Sequence, residues 1–403
     1  MWRDITMKYS LLILLFMSPL AMAIFSPAAY VTDSGIEITP VIATSIQYDD
    51  NVTNENESNN QISSMLLELE PSIFVKATHG NNYFYGDYIL TKGNYFNSSE
   101  DNYLDHRFDL ISELNINHRN RLNLAYEFDR LHEARGTGIS EGISSTTDGF
   151  DEPIEYSAHY FHANYAYGSE GAKGQIVGSV GYYDRSYENF REVTRFRDYD
   201  ENHYGAAFYY RMTSSTRLFM DIQQENRRYQ TTAPQQPSLD NDVTYYYMGA
   251  EWDISGKTSG IAKFGLQDKR FRDGNRSDFR GNSWDIKLSW SPRRYSTLSL
   301  STLQQAKDPD QAGDYIKETA YAIGWQHFWR ERFYTDLSYT NSDESYTGIN
   351  RKDTTNTWQI SANYDMRRWL TFSLGWDYTD RTSSQPGIDS NKQVWSLTAT
   401  FGL

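Results

Sequence analysis

The feature that most constrains this chain is a period of two. The stretch "VWSLTATFGL" (394–403) places Trp395, Leu397, Ala399, Phe401 and Leu403 on one face of a strand and small or hydroxylated residues on the other. Segments of about 12 to 16 residues with this two-sided character recur from Ile36 to Leu403. The breaks between them alternate in kind. Short, often basic breaks fall near His79, Arg119, Gly171, Ser214, Gly256, Arg293, Arg330 and Arg367. Longer acidic, polar or Gly-rich breaks fall at 48–60, 97–101, 135–153, 188–196, 231–242, 272–277, 307–314, 345–353 and 382–391. Eight short turns and nine long loops imply about eighteen strands, an even number.

A strand with one oily face suits either a soluble sandwich or a lipid-facing cylinder. A soluble sheet of so many strands would curl, split or expose long edges, whereas a closed barrel has none. Composition favours the barrel. Only 38% of the residues are hydrophobic, yet 15% are aromatic and 32 are Tyr. That is lean for a large soluble core but suits a wet lumen bounded by interfacial aromatic girdles.

The amino terminus carries Lys8, an apolar run from Leu11 broken by Ser18 and Pro19, and the small-residue site Ala21-Met22-Ala23. This predicts a cleaved signal peptide over 1–23, with Met7 an alternative start and a mature chain from about Ile24. Residues 24–35 are expected to form a short periplasmic segment, and 36–403 a transmembrane antiparallel up-and-down β-barrel in a Gram-negative outer membrane. No later segment is apolar enough for a membrane helix, so the chain must cross as strands. Both chain ends and the short turns then lie in the periplasm, and the last strand closes the cylinder against the first near Ile36.

Alternation assigns the two faces. Outward fall Met65, Leu67, Leu69 and Ile73; Phe108, Leu110, Leu114 and Ile116; Leu122, Leu124, Tyr126 and Phe128; and their counterparts in later strands. Toward the lumen fall the carboxylates Glu68, Glu70, Asp109, Glu127, Asp129, Asp285, Asp336, Asp365 and Asp377. The cations expected beside them are Arg107, Arg185, Arg211, Arg227, Lys263, Lys269, Lys287, Arg367 and Arg381. Tyr183, Tyr209, Tyr245, Tyr247 and Tyr334 join them. A lumen of mixed sign is not a one-sign ion filter. Rings interspersed with Asp, Asn, Gln and Arg are the surface over which a sugar slides, ring faces stacking and polar groups exchanging hydrogen bonds with hydroxyls. The same lining also serves any water-filled barrel.

Other chemistry is thinly supported. The net charge of −15 disfavours nucleic acid as a partner. Cys is absent, and His159 and His162, the nearest histidine pair, fall on opposite faces of a strand, which is poor geometry for a shared metal. No nucleophile elbow, Walker sequence or EF-hand loop is present, so neither enzyme activity, cofactor nor metal is expected.

In "SIQYDDNVTNENESNN" (45–60), "SWSPRRYSTLSLS" and "YDMRRWLTFSLGWDYTDRTS", a strand running into an Asn-rich loop and basic turns feeding alternating strands, the sequence resembles the putative beta-barrel porin 2 family. The resemblance spans essentially the whole mature chain and implies an outer-membrane conduit for an exopolysaccharide or capsular polysaccharide, of the Vibrio polysaccharide export type. It further implies a separate periplasmic polysaccharide-export protein as partner, since no helical repeat domain is present, and no catalytic residues. Lipid and lipopolysaccharide would surround a monomeric barrel. Two other readings stay open: a general or substrate-selective porin for small solutes, and a structural or adhesive barrel acting through its long loops.

Overall fold

The computed structural model describes residues 25–56, 60–143, 149–254 and 256–402. The expected signal peptide and Leu403 therefore lie outside the described residues. A two-residue strand, β1 (Tyr30–Val31), precedes the barrel and pairs with the start of β2. The wall is then β2 (Glu37–Asp49), β3 (Ser64–His79), β4 (Asn82–Tyr95), β5 (Tyr103–Asn117), β6 (Asn120–Glu133), β7 (Ile154–Tyr167), β8 (Gly174–Tyr187), β9 (Tyr199–Arg211) and β10 (Thr216–Tyr229). It continues as β11 (Asn241–Ile254), β12 (Thr258–Phe271), β13 (Phe279–Arg293), β14 (Ser296–Lys307), β15 (Tyr315–Arg330), β16 (Phe333–Thr347), β17 (Lys352–Arg367), β18 (Leu370–Ser383) and β19 (Ser390–Gly402).

Each strand from β2 onward pairs antiparallel with its chain neighbour, and β19 returns to pair with β2. Val394 lies opposite Asp49 and Gly402 opposite Val41, so eighteen strands close the cylinder as the alternation predicts. Closure satisfies every wall strand on both edges, the only way a sheet can sit in hydrocarbon.

The outward face is a continuous apolar surface. Ile46, Leu110, Phe208, Met220, Ile222, Leu266, Leu374 and Leu397 are all exposed. In a soluble protein such a surface would drive association; in a bilayer it meets lipid. Exposed Tyr167, Tyr210, Trp290, Tyr295, Trp329 and Trp369 stand at or beside the short-turn end, where their polar edges can meet headgroups. Tyr48, Tyr182, Tyr246, Tyr321 and Trp395 lie toward the other interface. The interior is the polar side, so this fold has a lumen where a soluble domain has a hydrophobic core.

Candidate functional site

Register fixes which side chains share the lumen, because residues directly opposite in neighbouring strands lie on one face. On β3 to β6 this collects carboxylates. Glu68 accepts hydrogen bonds from Gln47 (3.3 Å) and Tyr103 (2.5 Å), and Glu70 accepts one from Thr91 (3.3 Å). Asp87 lies opposite Asp109, and Asp109 opposite Glu127, forming a row of three acids. Arg107 pairs with Asp129 at 3.1 Å beside that row. Asp87 was not singled out from the sequence, although its alternation with Tyr88 marks it as inward.

The next strands carry rings. Tyr160, Tyr183, Tyr199 and Tyr229 form a staircase climbing from mid-wall to the long-loop end, with successive centroids 6.3, 5.6 and 5.4 Å apart. Arg185 lies over Tyr156 (4.1 Å) and Tyr187 (4.7 Å) and pairs with Glu133, while Arg227 lies over Tyr199 at 4.3 Å. Tyr245 and Tyr247 stack at 5.6 Å on the adjoining wall, and lower down Tyr209 meets Phe219 (5.3 Å) and Arg217 (4.8 Å). Tyr156, Tyr160, Tyr187, Tyr199 and Tyr229 were missing from the sequence-based set; each shares the inward alternation of its strand.

The remaining candidates spread round the ring. Lys263 lies opposite Asp285, with Lys287 two residues further along β13. Tyr334 stacks on Phe328 (4.7 Å), and Asp336 accepts from Gln326 (3.0 Å) and Asn363 (2.9 Å). Asp365 accepts from Thr371 (2.6 Å), and Asp377 lies opposite Gln359. Arg211 and Arg367 belong to the short-turn rim. Arg211 donates to the Glu170 and Ser214 carbonyls, and Arg367 is exposed where a register shift ends the β17 alternation. His159 does face away from His162: it bonds the Tyr126 hydroxyl (2.9 Å), whereas His162 meets Asn164 (3.1 Å).

Facing the rings is a wall of small residues. From β14 to β19 the inward positions include Ser299, Ser301, Ala320, Ala322, Gly324, Ser338, Thr340, Ser373, Gly375, Ser396 and Thr398. The lumen is therefore uneven: the rings cluster on β7 to β11, while from β14 to β19 small side chains alternate with carboxylates such as Asp336 and Asp377.

The described parts of two loops, 134–143 with 149–153 and 308–314, fold inward instead of standing out in solvent. In the first, Arg135 pairs with Asp101 (2.5 Å), the Arg135 carbonyl accepts from Asn54 (3.0 Å), and Gly136 packs on the Thr53 carbonyl. Glu141 is gripped by Arg351 and Arg381, and Ile139, Phe150, Ile154 and Tyr187 form a small apolar cluster. In the loop 308–314, Asp308 is bound by Arg227 (2.7 Å) and Lys269 (2.5 Å). Gln311 donates to the Ile139 (2.9 Å) and Glu141 (2.7 Å) carbonyls, so the two loops join across the mouth. Arg197 and Arg276 hold the second loop through the carbonyls of Asp310 (2.7 Å) and Gly313 (2.8 Å). Below it lies a cavity of about 580 Å³ lined by Tyr156, Arg185, Tyr199, Tyr229, Lys269 and Ser301, among others.

Glu201, His203 and Glu225 place one donor atom each within 4.8 Å of one another. Glu201 meets His203 at 2.7 Å and Arg227 at 2.7 Å, so the group is also tied to the Arg227 guanidinium that binds Asp308.

The model of the family described as "Putative beta-barrel porin 2" matches residues 37–402. No curated protein matches the sequence. Among solved structures, the outer membrane protein OpdK from Pseudomonas aeruginosa is 10% identical, with a TM-score of 0.49 over 91% of this chain and 98% of that one. OccK2 (OpdF) from the same organism, solved in complex with glucuronate, is 9% identical, with a TM-score of 0.49 over 91% and 98%. The FrpB iron transporter from Neisseria meningitidis is 12% identical, with a TM-score of 0.46 over 87% of this chain. This chain spans 64% of the FrpB structure's length.

Proposed function

Because this chain belongs to the family described as putative beta-barrel porin 2, a family of porin-like outer-membrane barrels, we propose that it is a conduit through which an exopolysaccharide or capsular polysaccharide leaves the cell. The observation that carries this reading is the tyrosine staircase opposite a wall of hydroxyl and other small side chains. Ring faces give a sugar weak apolar contact without fixing its orientation, and the serines and threonines exchange hydrogen bonds with its hydroxyls as water would. Such contacts suit a chain that must keep moving. The barrel itself supplies no energy, so synthesis and a periplasmic export protein would drive the polymer, and the barrel acts as a monomer.

A second reading, a substrate-selective porin for small solutes, is favoured by the loops 134–153 and 308–314, which narrow the mouth. The deciding experiment measures extracellular and periplasmic polysaccharide in a deletion strain, complemented by the wild type or by a Tyr183→Ala/Tyr199→Ala variant. Polymer trapped in the periplasm, rescued by the wild type and poorly by the variant, supports export. Unchanged extracellular polymer overturns it and leaves the small-solute reading.

A further inference from the structure

The contact that anchors the loop 308–314 to the wall has the form of a ligand in a binding site. The Asp308 side chain is only 5% exposed, and four donors converge on its two oxygens. Arg227 approaches at 2.7 Å, Lys269 at 2.5 Å, the Tyr229 hydroxyl at 2.9 Å and the Asn241 amide at 3.1 Å. That set matches the acceptor capacity of a carboxylate, two oxygens with about four lone-pair sites between them. A latch would need one cation; here two cations, a hydroxyl and an amide are gathered.

Host and guest differ in how they are held. The donors sit on or beside three consecutive wall strands, β10, β11 and β12, and are braced there. Arg227 rests on the Tyr199 ring (4.3 Å) and bonds Glu201 (2.7 Å), and Lys269 donates to the side-chain amide oxygen of Asn241 (2.9 Å). The acceptor comes instead from the loop 308–314, in which Gly313 has a φ of +110° that suits glycine. Burial alone would push the Asp308 carboxyl up, but Lys269 and Arg227 more than reverse this and hold it well below the usual carboxylate range. A group this strongly held as an anion reports a pocket tuned for negative charge.

The position gives the pocket a use. Tyr229 is at once the top ring of the staircase and a donor to Asp308. A sugar moving up the rings therefore arrives at this cluster. Resting on the saccharide-conduit reading, we propose that Arg227, Lys269, Tyr229 and Asn241 form a subsite for the carboxylate of an acidic sugar, which Asp308 occupies while the loop 308–314 is anchored. The transported saccharide is then a uronate-containing one, and it opens its own path by displacing Asp308.

The test uses the purified full-length barrel in planar lipid bilayers, with galacturonate and its neutral counterpart galactose as blockers of the ion current. Galacturonate should interrupt the wild-type current more strongly than galactose. Asp308→Ala should raise the apparent galacturonate affinity at least about fivefold and leave galactose unchanged, and adding Lys269→Met should abolish the gain. Asp308→Asn, which preserves the shape and removes the charge, should give an intermediate gain and guards against misfolding of the Ala variant. An unchanged galacturonate affinity in both Asp308 variants, or an equal gain for galactose, overturns the subsite while leaving the conduit standing. If neither sugar perturbs the current in any variant, the conduit reading and the subsite fall together.

Discussion

Asp109 and Glu127 stand directly opposite each other on β5 and β6, both facing the lumen, with Asp87 across from Asp109 on the other side. Like charges directly opposite each other repel, so this row costs stability. Glu127→Gln should stabilise the barrel by about 0.2–1 kcal/mol, the range for cross-strand pairs. It should also lower cation preference. Thermal unfolding in detergent and reversal potentials in a salt gradient measure the two effects, and a less stable variant would contradict the repulsion.

Arg351 grips Glu141 from 210 positions away in sequence and also bonds Asp353 at 2.5 Å. Breaking a buried pair costs about 3–5 kcal/mol when the remaining charge is left uncompensated. Arg381 still reaches both Glu141 and Asp353, so Arg351→Met should cost less than that, loosening the loop 134–153 and sparing the wall. Faster proteolytic cutting within that loop, with unchanged heat-modifiable mobility of the barrel, is the expected pattern.

Gly136 has a φ of +75°, and a Cβ there would lie 2.1 Å from the Thr53 carbonyl oxygen. Both the left-handed backbone and the close approach demand glycine. Gly136→Ala should lift the loop away from Thr53 and Asn54 and raise single-channel conductance. An unchanged conductance would mean that this contact does not narrow the mouth.

Tyr183 occupies the middle of the staircase, between Tyr160 and Tyr199. Tyr183→Ala should weaken current block by a neutral oligosaccharide about two- to tenfold, corresponding to roughly 0.5–1.5 kcal/mol of ring-face contact. Tyr183→Phe should retain most of the block, because the face and not the hydroxyl is used.

Asp308 also sets a pH dependence. Its carboxyl is held below the usual range, so its stabilisation is present above the ordinary aspartate pKa and is lost only as the pH falls through the depressed value. The anchored loop should thus stay in place down to about pH 4, near where an ordinary aspartate is half protonated. Protease protection of the loop 308–314 at that pH checks it, and early release of the loop would count against the four-donor grip.

The wall was legible because alternation is a local signal: Glu68 between Leu67 and Leu69, or Asp109 between Phe108 and Leu110, already states which face is wet. The breaks were legible for the same reason, since "SPRRYS" and "KDPDQAGD" interrupt the pattern visibly. The inward folding of two loops was not. A loop that meets bulk water and one that fills a wet lumen have the same polar composition, and only distant partners separate them. Nothing near Asp308 announces Arg227 and Lys269, and nothing near Glu141 announces Arg351. The small-residue wall escaped notice because Ser, Thr, Ala and Gly stand out only when six strands are viewed together.

The seam between β2 and β19 joins the two ends of the chain's wall, with Ile42 opposite Phe401. Every other wall pairing joins neighbours in sequence and can zip from a turn, but this one has no turn to start from. Ring closure is therefore a separate kinetic event, the slowest to nucleate by loop entropy. Until β19 has been synthesised and delivered, β2 carries a naked edge. A sheet that lacks β19 keeps this edge unpaired and cannot be sealed in hydrocarbon, so the seam makes insertion depend on the last wall strand as much as on the first.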